Sequence, residues 1–265
     1  MCEIWGVMQG RLTDKGGFFP QQFPWESWEK EFSAARDLRI DCIEWMFNLE
    51  NYESNPFITK TGVGAIKRVT ENTGVAVRSV CANYYIQYPV AGVNSGDIFK
   101  RLYCAAEQLQ LHHIVFPLFE ASEVTDQGRL PEVFWQIEHW MSNGPVKVYF
   151  ECDHPLECQT AALDSVGSPM LGLCYDLGNS TGCGYNCVDG VKRLVEGKYN
   201  FELHIKDKKI HGGTVMLGDG DVDFAAALNA AQGVGGLRVY ESYYGKSAVE
   251  DTAKNIAYIR GILGR

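Results

Sequence analysis

The feature that most limits the fold of this chain is a regular alternation of short apolar runs with amphipathic stretches. Eight runs of strand length recur at a mean spacing of about 33 residues between Val7 and Tyr240. They cover residues 4–7, 42–45, 75–80, 114–116, 146–150, 171–175, 201–205 and 237–240. Runs without polar alternation are typical of strands in a parallel sheet that is covered on both faces.

Apolar residues at helical spacing connect these runs. The stripes are Trp28, Phe32, Ala35 and Leu38; Ile66 and Val69; Phe99, Leu102, Ala106 and Leu109; Val133, Ile137 and Trp140; and Ala253, Ile256 and Ala257. Eight strand–helix units in 265 residues predict an α/β fold, a (β/α)8 TIM barrel that forms a single domain over residues 1–265. The alternative is a doubly wound open sheet. That fold normally carries a GxGxxG turn after its first strand, and residues 6–10 do not match it.

Composition narrows the functional classes. The chain has 24 Lys and Arg against 33 Asp and Glu, a net charge of −9, which disfavours a nucleic-acid partner. No apolar run is long enough for a membrane helix, and the N-terminal segment lacks the apolar core of a signal peptide. Nine cysteines without a CxxC pair indicate a reducing cytoplasm, with residues such as Cys42, Cys104 and Cys174 buried as small apolar side chains.

Ionisable residues stand at or near the ends of the last four predicted strands. They are Glu151, Asp176, His204 and Glu241. Taken singly, each has an ordinary explanation, such as a helix cap, a carboxylate facing water or a hydrogen-bonded core histidine. In a barrel, however, the carboxyl ends of neighbouring strands meet at one mouth. Buried carboxylates without compensation cost several kcal/mol each, and three carboxylates with one imidazole suit a divalent ion such as Mn²⁺, Mg²⁺, Co²⁺ or Zn²⁺.

The same residues resemble the xylose-isomerase-like TIM-barrel family, whose sugar isomerases and epimerases have Glu, Asp, His and Glu as metal ligands at the ends of strands five to eight. The motifs YFECD, YDLGN, HIKD, GDGDVDF and VYES, with GVMQGRL and IEW near the start, are similar to the sugar-phosphate epimerase branch, notably the L-ribulose-5-phosphate 3-epimerases. The resemblance spans nearly the whole chain.

Three positions depart from or complicate the family pattern. Asn179 stands where many relatives have His, and Leu217 where a Pro often precedes the Gly. Glu157 stands where some relatives place a second Glu, although its spacing also fits an exposed helix residue, the interpretation that we favour.

The predicted site suits proton transfer on a ketose. A metal that chelates the carbonyl and a neighbouring hydroxyl acidifies the C–H bond between them. Epimerisation then requires a base on each face, and Glu151 and Glu241 are the predicted pair, with Asp176 and His204 as holding ligands. The resemblance implies the same assignment. Lys206, on the same strand face as His204, is the third predicted catalytic residue and would stabilise an enediolate; an ion pair with a ligand carboxylate or with Asp207 is the alternative.

Other polar residues near strand ends are predicted to bind a sugar or sugar phosphate. They are Arg11, Glu44, Asn83, His154, Asn179, Lys208 and Lys209. Lys208 and Lys209 fall where many barrels bind phosphate, although a solvated loop would look the same. Arg11 and His154 also fit surface roles, and Glu44 could instead pair with Arg11 or Arg78.

Aromatic residues are concentrated in the predicted loops, where we expect a mixture of water-excluding lid and subunit interface, compatible with a homo-oligomer. They are Phe18, Phe19, Trp45, Tyr84, Tyr85, Tyr243 and Tyr244.

The leading hypothesis is a divalent-metal-dependent isomerase or epimerase of a ketose or ketose phosphate. A dehydratase, a lyase that uses the same metal and base, is the first alternative. A catalytically silent ligand-binding barrel is another. An endonuclease would need further histidine ligands and a basic face, whereas this chain has six histidines and a charge of −9.

Overall fold

The strands of this protein form a closed barrel. The computed structural model describes residues 3–14 and 22–264. The barrel strands are β1 (Glu3–Met8), β2 (Cys42–Met46), β3 (Ala76–Cys81), β4 (His113–Pro117), β5 (Lys147–Glu151), β6 (Leu171–Asp176), β7 (Phe201–Ile205) and β10 (Gly236–Tyr240). Their order around the barrel is β1-β10-β7-β6-β5-β4-β3-β2, which confirms the predicted (β/α)8 architecture. All eight predicted runs coincide with these strands to within one residue at each end.

Ten α-helices are present in the part of the chain that the structure describes. They are α1 (Trp28–Asp37), α2 (Lys60–Thr73), α3 (Tyr84–Gln87), α4 (Ser95–Gln108), α5 (Leu130–Trp140), α6 (Leu156–Val166), α7 (Leu177–Gly182), α8 (Cys187–Glu196), α9 (Phe224–Ala230) and α10 (Ala248–Ile262). The five predicted stripes lie on α1, α2, α4, α5 and α10.

The sequence did not predict the other five helices or the short antiparallel pair β8 (Asp207–Lys208) and β9 (Thr214–Val215). Helices α3, α7 and α9 are too short to show a 3.6-residue period. The buried face of α6 includes Gln159 and Thr160, so it is not continuously apolar. The buried face of α8 does carry apolar residues at helical spacing, Cys187, Val191 and Leu194, so this helix had a signal that the sequence analysis did not use.

Contacts divide the chain into two compact parts, which we call the first part (Met1–Ile43 with Cys174–Arg265) and the second part (Glu44–Leu173). In the first part, β10 pairs in parallel with both β1 and β7, and Val239 is the partner of His204 in register. The carboxyl ends of β7 and β10 are therefore neighbours.

In the second part, β4 pairs in parallel with β3 and β5, which sets Glu151 opposite Pro117. Its core is strongly aromatic. Phe134 of α5 stacks on Phe150 of β5 with 3.8 Å between ring centroids. This packing fixes the end of β5 and hence the backbone of Glu151.

Several expectations about burial are corrected. Cys104 is exposed on α4, although Cys42 and Cys174 are buried as predicted; all cysteines in the described ranges are free. Trp45, Tyr84 and Tyr85 are buried, so they cannot form an exposed lid, whereas Tyr243 is exposed and Tyr244 is half-buried. Phe18 and Phe19 lie outside the described residues. Within residues 3–14 and 22–264, no helix has the length and apolar character needed to cross a membrane.

Candidate active site

Arg11 enters the site through the loop that follows β1. The carboxylate of Glu31, on α1, accepts hydrogen bonds from the backbone N–H groups of Gly10 and Leu12 and from the Thr13 hydroxyl. The Thr252 hydroxyl donates to the Arg11 carbonyl at 2.8 Å. Held in this way, the Arg11 side chain is 3% exposed and its Nη2 lies 3.3 Å from Glu241 Oε1. Arg11 is thus a buried partner of Glu241, not a surface residue.

Glu241 lies at the centre of the charged groups in the first part. It follows β10 directly and is 3% exposed. Its Oε2 is 2.9 Å from His204 Nδ1, and its Oε1 is 2.9 Å from Lys206 Nζ. These contacts leave both oxygens of this carboxylate close to nitrogen donors.

Asp176 is tied to the same cluster through Lys206. Its Oδ2 accepts from Lys206 Nζ at 2.8 Å, while its Oδ1 accepts from the Asn179 backbone N–H at 2.8 Å and so caps α7. Lys206 thus forms ion pairs with two candidate metal ligands, Asp176 and Glu241. This is the alternative that the sequence offered to a role in stabilising an enediolate. The Asp207 carboxylate accepts hydrogen bonds from the N–H groups of Gly218, Gly220 and Val222.

The environment of Glu241 fixes its charge. Burial alone would raise the pKa of this carboxyl, but the Lys206 ammonium, the His204 hydrogen bond and charge, and the Arg11 guanidinium outweigh burial. The pKa of Glu241 is consequently held well below its ordinary value, and the side chain is ionised at neutral pH.

Glu151, the remaining predicted ligand, ends β5 in the second part and is buried. Three residues of the first part, Asp176, His204 and Glu241, each offer a ligand atom, and these atoms lie within 4.8 Å of one another. Two ligands on one divalent ion, each at about 2.0–2.4 Å from it, are separated by no more than about 4–5 Å. The donor set and its spacing fit a single divalent ion.

The predicted substrate residues of the first part have different surroundings. Asn179 is half-buried in the first turn of α7. Lys208 lies in β8, with its aliphatic stem beside Gly182. Lys209 is exposed and its Nζ is 3.8 Å from Asp221 Oδ1, a weak surface pair.

The predicted substrate residues of the second part are more enclosed. Glu44 lies in the middle of β2, not at its end, and its Oε2 accepts from the Ser79 hydroxyl at 2.7 Å. Asn83 is buried just before α3, and the Cys81 thiol donates to its Oδ1. The His154 ring is half-buried and contacts the Val124 carbonyl, so its Nε2 is engaged with the neighbouring loop.

Sequence reasoning missed two acidic residues that organise the first part. Glu31 gives little signal, because it is an acidic residue on a helix, in the sequence WEKEF, and looks like a solvated one. Glu202 had a usable signal, since it precedes His204 by two residues and must share its strand face. Both carboxylates are buried.

Comparisons with known proteins give matches among solved structures. No protein-family model and no curated protein matches the sequence. A xylose isomerase domain protein from Planctomyces limnophilus is 16% identical, with a TM-score of 0.72 and coverage of 98% of this chain and 97% of that one. The IolI protein with a bound zinc atom is 14% identical, with a TM-score of 0.73 and 98% coverage of both chains.

A third match is the D-allulose 3-epimerase from Methylomonas sp. in complex with D-allulose. It is 13% identical, with a TM-score of 0.70 and coverage of 98% of this chain and 96% of that one. At these identities the likeness establishes the architecture and not the reaction. The chain has the fold of the xylose isomerase-like TIM barrel proteins, the family that its strand-end residues resemble.

Proposed function

We propose that this protein is a divalent-metal-dependent isomerase or epimerase of a ketose or ketose phosphate. The observation that carries the proposal is the buried cluster of Asp176, His204, Lys206 and Glu241. Lys206 Nζ lies 2.8 Å from Asp176 and 2.9 Å from Glu241, and His204 Nδ1 lies 2.9 Å from Glu241. Burial of so many ionisable groups is costly for stability. Such a cluster at the carboxyl ends of barrel strands is typical of a catalytic site.

Glu151, Asp176, His204 and Glu241 are the residues proposed to hold the ion. When bound, the metal would polarise the ketose carbonyl and acidify the neighbouring C–H bond. The bound zinc of IolI and the ketose ligand of the D-allulose 3-epimerase support this assignment at the level of the shared fold.

Glu241 and Glu151 are the proposed bases. Glu241 is ionised at neutral pH and can accept a proton from carbon. Its low pKa makes it a weak base as long as Lys206 donates to it. As negative charge develops on the substrate oxygen during proton transfer, Lys206 would move its hydrogen bond to that oxygen, and Glu241 would become more basic while it accepts the proton. Lys206 therefore couples charge stabilisation on the substrate to the strength of the base.

Arg11 keeps Glu241 in place throughout. Its guanidinium is 3.3 Å from Glu241 Oε1 and is fixed by the loop after β1. The remaining predicted residues, Glu44, Asn83, His154, Asn179, Lys208 and Lys209, are proposed to contact sugar hydroxyls or a phosphate. Lys209 is exposed. Its replacement by Ala should raise KM more for a phosphorylated ketose than for a free ketose if this lysine binds a phosphate.

The direct test is incubation of the metal-loaded protein with free and phosphorylated ketoses in D₂O, followed by NMR. We expect deuterium at the carbon next to the carbonyl together with a new diastereomer or aldose. Loss of a hydroxyl as water would identify the dehydratase instead. Binding of metal and sugar without any deuterium exchange would identify a silent ligand-binding barrel and contradict the proposal.

A matched pair of variants locates the bases. Glu151→Gln and Glu241→Gln should each abolish net epimerisation, while the exposed Glu250→Gln, with the same change in charge, should not. Each of these two variants retains the other glutamate, so we expect it to exchange the substrate proton on that face with solvent deuterium.

A further inference from the structure

The loop between β5 and α6 is held by a side chain immediately after Glu151. Glu151 ends β5, and residues 152–155 connect it to α6. The side-chain Nε2 of Gln159 donates to two carbonyl oxygens of this loop, that of His154 at 2.6 Å and that of Cys152 at 3.3 Å. A carbonyl oxygen only accepts, so the nitrogen of the amide must face the loop. One side chain therefore anchors two backbone carbonyls of this short loop.

The reach of Gln159 follows from its place on α6. It is the fourth residue of this helix, which begins at Leu156. Side chains of a helix tilt toward its amino end, so a long side chain near the start of a helix extends over the preceding loop. Gln159 is 4% exposed. Because a buried carbonyl requires a hydrogen-bond donor and water has little access here, the amide is difficult to replace.

A second set of contacts holds this region against β4. Glu151 lies opposite Pro117 in register, and its carbonyl accepts from the Leu118 N–H at 2.8 Å. The His154 ring contacts the carbonyl of Val124, in the connection between β4 and α5. The backbone of Glu151 and its loop is thus fixed to β4 and the segment that follows it, while Gln159 fixes the loop to α6.

We propose that Gln159 is a positioning residue for Glu151, which it orients through the backbone of residues 152–154. The inference rests on the proposed function, since it concerns one of the two proposed bases. A catalytic group that is displaced by about 1 Å can lose about 10²-fold in rate. The contacts of Gln159 lie in the loop after Glu151, in the second part, whereas Glu241 belongs to the first part. Loss of Gln159 should therefore impair proton transfer on one face of the substrate and spare the other.

The experiment measures each face separately. The two epimers that the protein interconverts are incubated one at a time in D₂O at saturating Mn²⁺, and NMR follows the initial uptake of deuterium. The epimer whose proton faces Glu151 is the one that loses uptake in Glu151→Gln. The test variant is Gln159→Met, which keeps the length of the side chain but cannot donate. Gln108→Met makes the same change at an exposed position on α4 and is the control.

Two further measurements do not depend on how well Gln159→Met folds. Gln159→Asn keeps the amide but shortens the side chain, so it withdraws the donor with a smaller change in volume. In the wild-type protein, NMR measures exchange of the Gln159 side-chain amide protons with solvent, assigned through the backbone resonances. These protons should exchange more slowly than those of exposed Gln108, because both carbonyls engage them.

We expect both Gln159 variants to lose uptake for the epimer that Glu151→Gln identifies, by about 10²-fold in Gln159→Met, and to keep wild-type uptake for the other epimer. Equal loss for both epimers would indicate a merely structural role and overturn the proposal, as would wild-type uptake for both. A Gln159 amide that exchanges as fast as that of Gln108 would overturn it even if neither variant folded. A wild-type protein without uptake from either epimer would instead contradict the proposed function.

Discussion

At the residue scale, Glu241 combines proposed metal ligation with proton transfer, and a conservative substitution can separate the two. Glu241→Gln keeps an oxygen for the ion but removes the base. Loss of a general base typically reduces the rate by about 10²–10⁴-fold. We expect that loss in turnover with metal content retained, measured by kinetics and by metal analysis of the same preparation. Near-native turnover at full metal content would contradict the two-base mechanism.

Lys206 provides a second prediction at this scale, because it neutralises Asp176 and Glu241 at once. Removal of one partner from a buried ion pair destabilises a protein by about 3–5 kcal/mol. Lys206→Met should therefore lower the free energy of unfolding by that amount in chelator. Saturating Mn²⁺ should offset much of the loss, because the ion replaces the missing positive charge.

Urea denaturation with and without Mn²⁺ measures both effects. Lys192→Met is the control, because Lys192 and its partner Asp189 are exposed. An equal loss for Lys206→Met in chelator and in Mn²⁺ would indicate that the ion does not bind next to Asp176 and Glu241.

At the scale of elements, the start of α7 depends on close approach to the segment after β7. A Cβ on Gly178 would lie 2.8 Å from both Cγ and the carbonyl oxygen of Lys206. Gly178→Ala must therefore shift the Lys206 backbone, at a cost of about 1–3 kcal/mol in stability. A displacement of a catalytic group by about 1 Å can reduce turnover by about 10²-fold. We therefore expect Gly178→Ala to lose much of its turnover even though most of the protein remains folded.

Gly261→Ala is the matched control for this substitution. Its Cβ meets nothing within 4 Å on α10, so alanine should stabilise that helix by about 0.5–1 kcal/mol. Thermal unfolding and turnover are measured for both variants. Native activity in Gly178→Ala would show that the position of Lys206 is not critical.

The first turn of α10 carries a pH-dependent contribution to stability. A hydrogen bond from Lys254, together with backbone N–H groups of residues 245–247, lowers the pKa of Asp251 from 3.8 to about 2, against the opposing effect of burial. Because the folded-state pKa is the lower one, this contribution is complete above about pH 4 and is lost as the pH falls toward 2.

The expected result is that Asp251→Asn has a lower Tm than the wild-type protein near pH 5, with a difference that shrinks toward pH 2. Thermal unfolding across that range is the measurement, with the exposed Asp37→Asn as control. A Tm difference that is independent of pH would show that the Asp251 charge is not what stabilises the helix.

At the scale of the whole molecule, metal binding should stabilise the native chain. A ligand at 100 times its Kd contributes about 2.7 kcal/mol, which for a domain of this size raises Tm by about 5–10 °C. We expect this rise when Mn²⁺, Co²⁺ or Zn²⁺ is added after chelation, and a much smaller one in Asp176→Asn. Equal shifts in both proteins would place the binding ion elsewhere.

The sequence by itself determined the barrel, because the periodicity of apolar residues is a local property and can be read from the residue order without any tertiary contact. It also determined that Glu151, Asp176, His204 and Glu241 stand at or near strand ends, since a strand end is read from the same pattern. The metal, the reaction and the roles of these residues remain proposals built on that placement.

Tertiary structure alone decided how charged side chains are paired. Arg11 is buried against Glu241 because Glu31 and Thr252, both remote in sequence, fix its loop. Lys206 pairs with Asp176 and Glu241, whereas the neighbouring Asp207 carboxylate accepts hydrogen bonds from the backbone of residues 218–222. Neither pairing is visible along the chain, because an ion pair depends on the distance between two atoms in space, whereas a sequence pattern records only their separation in residues.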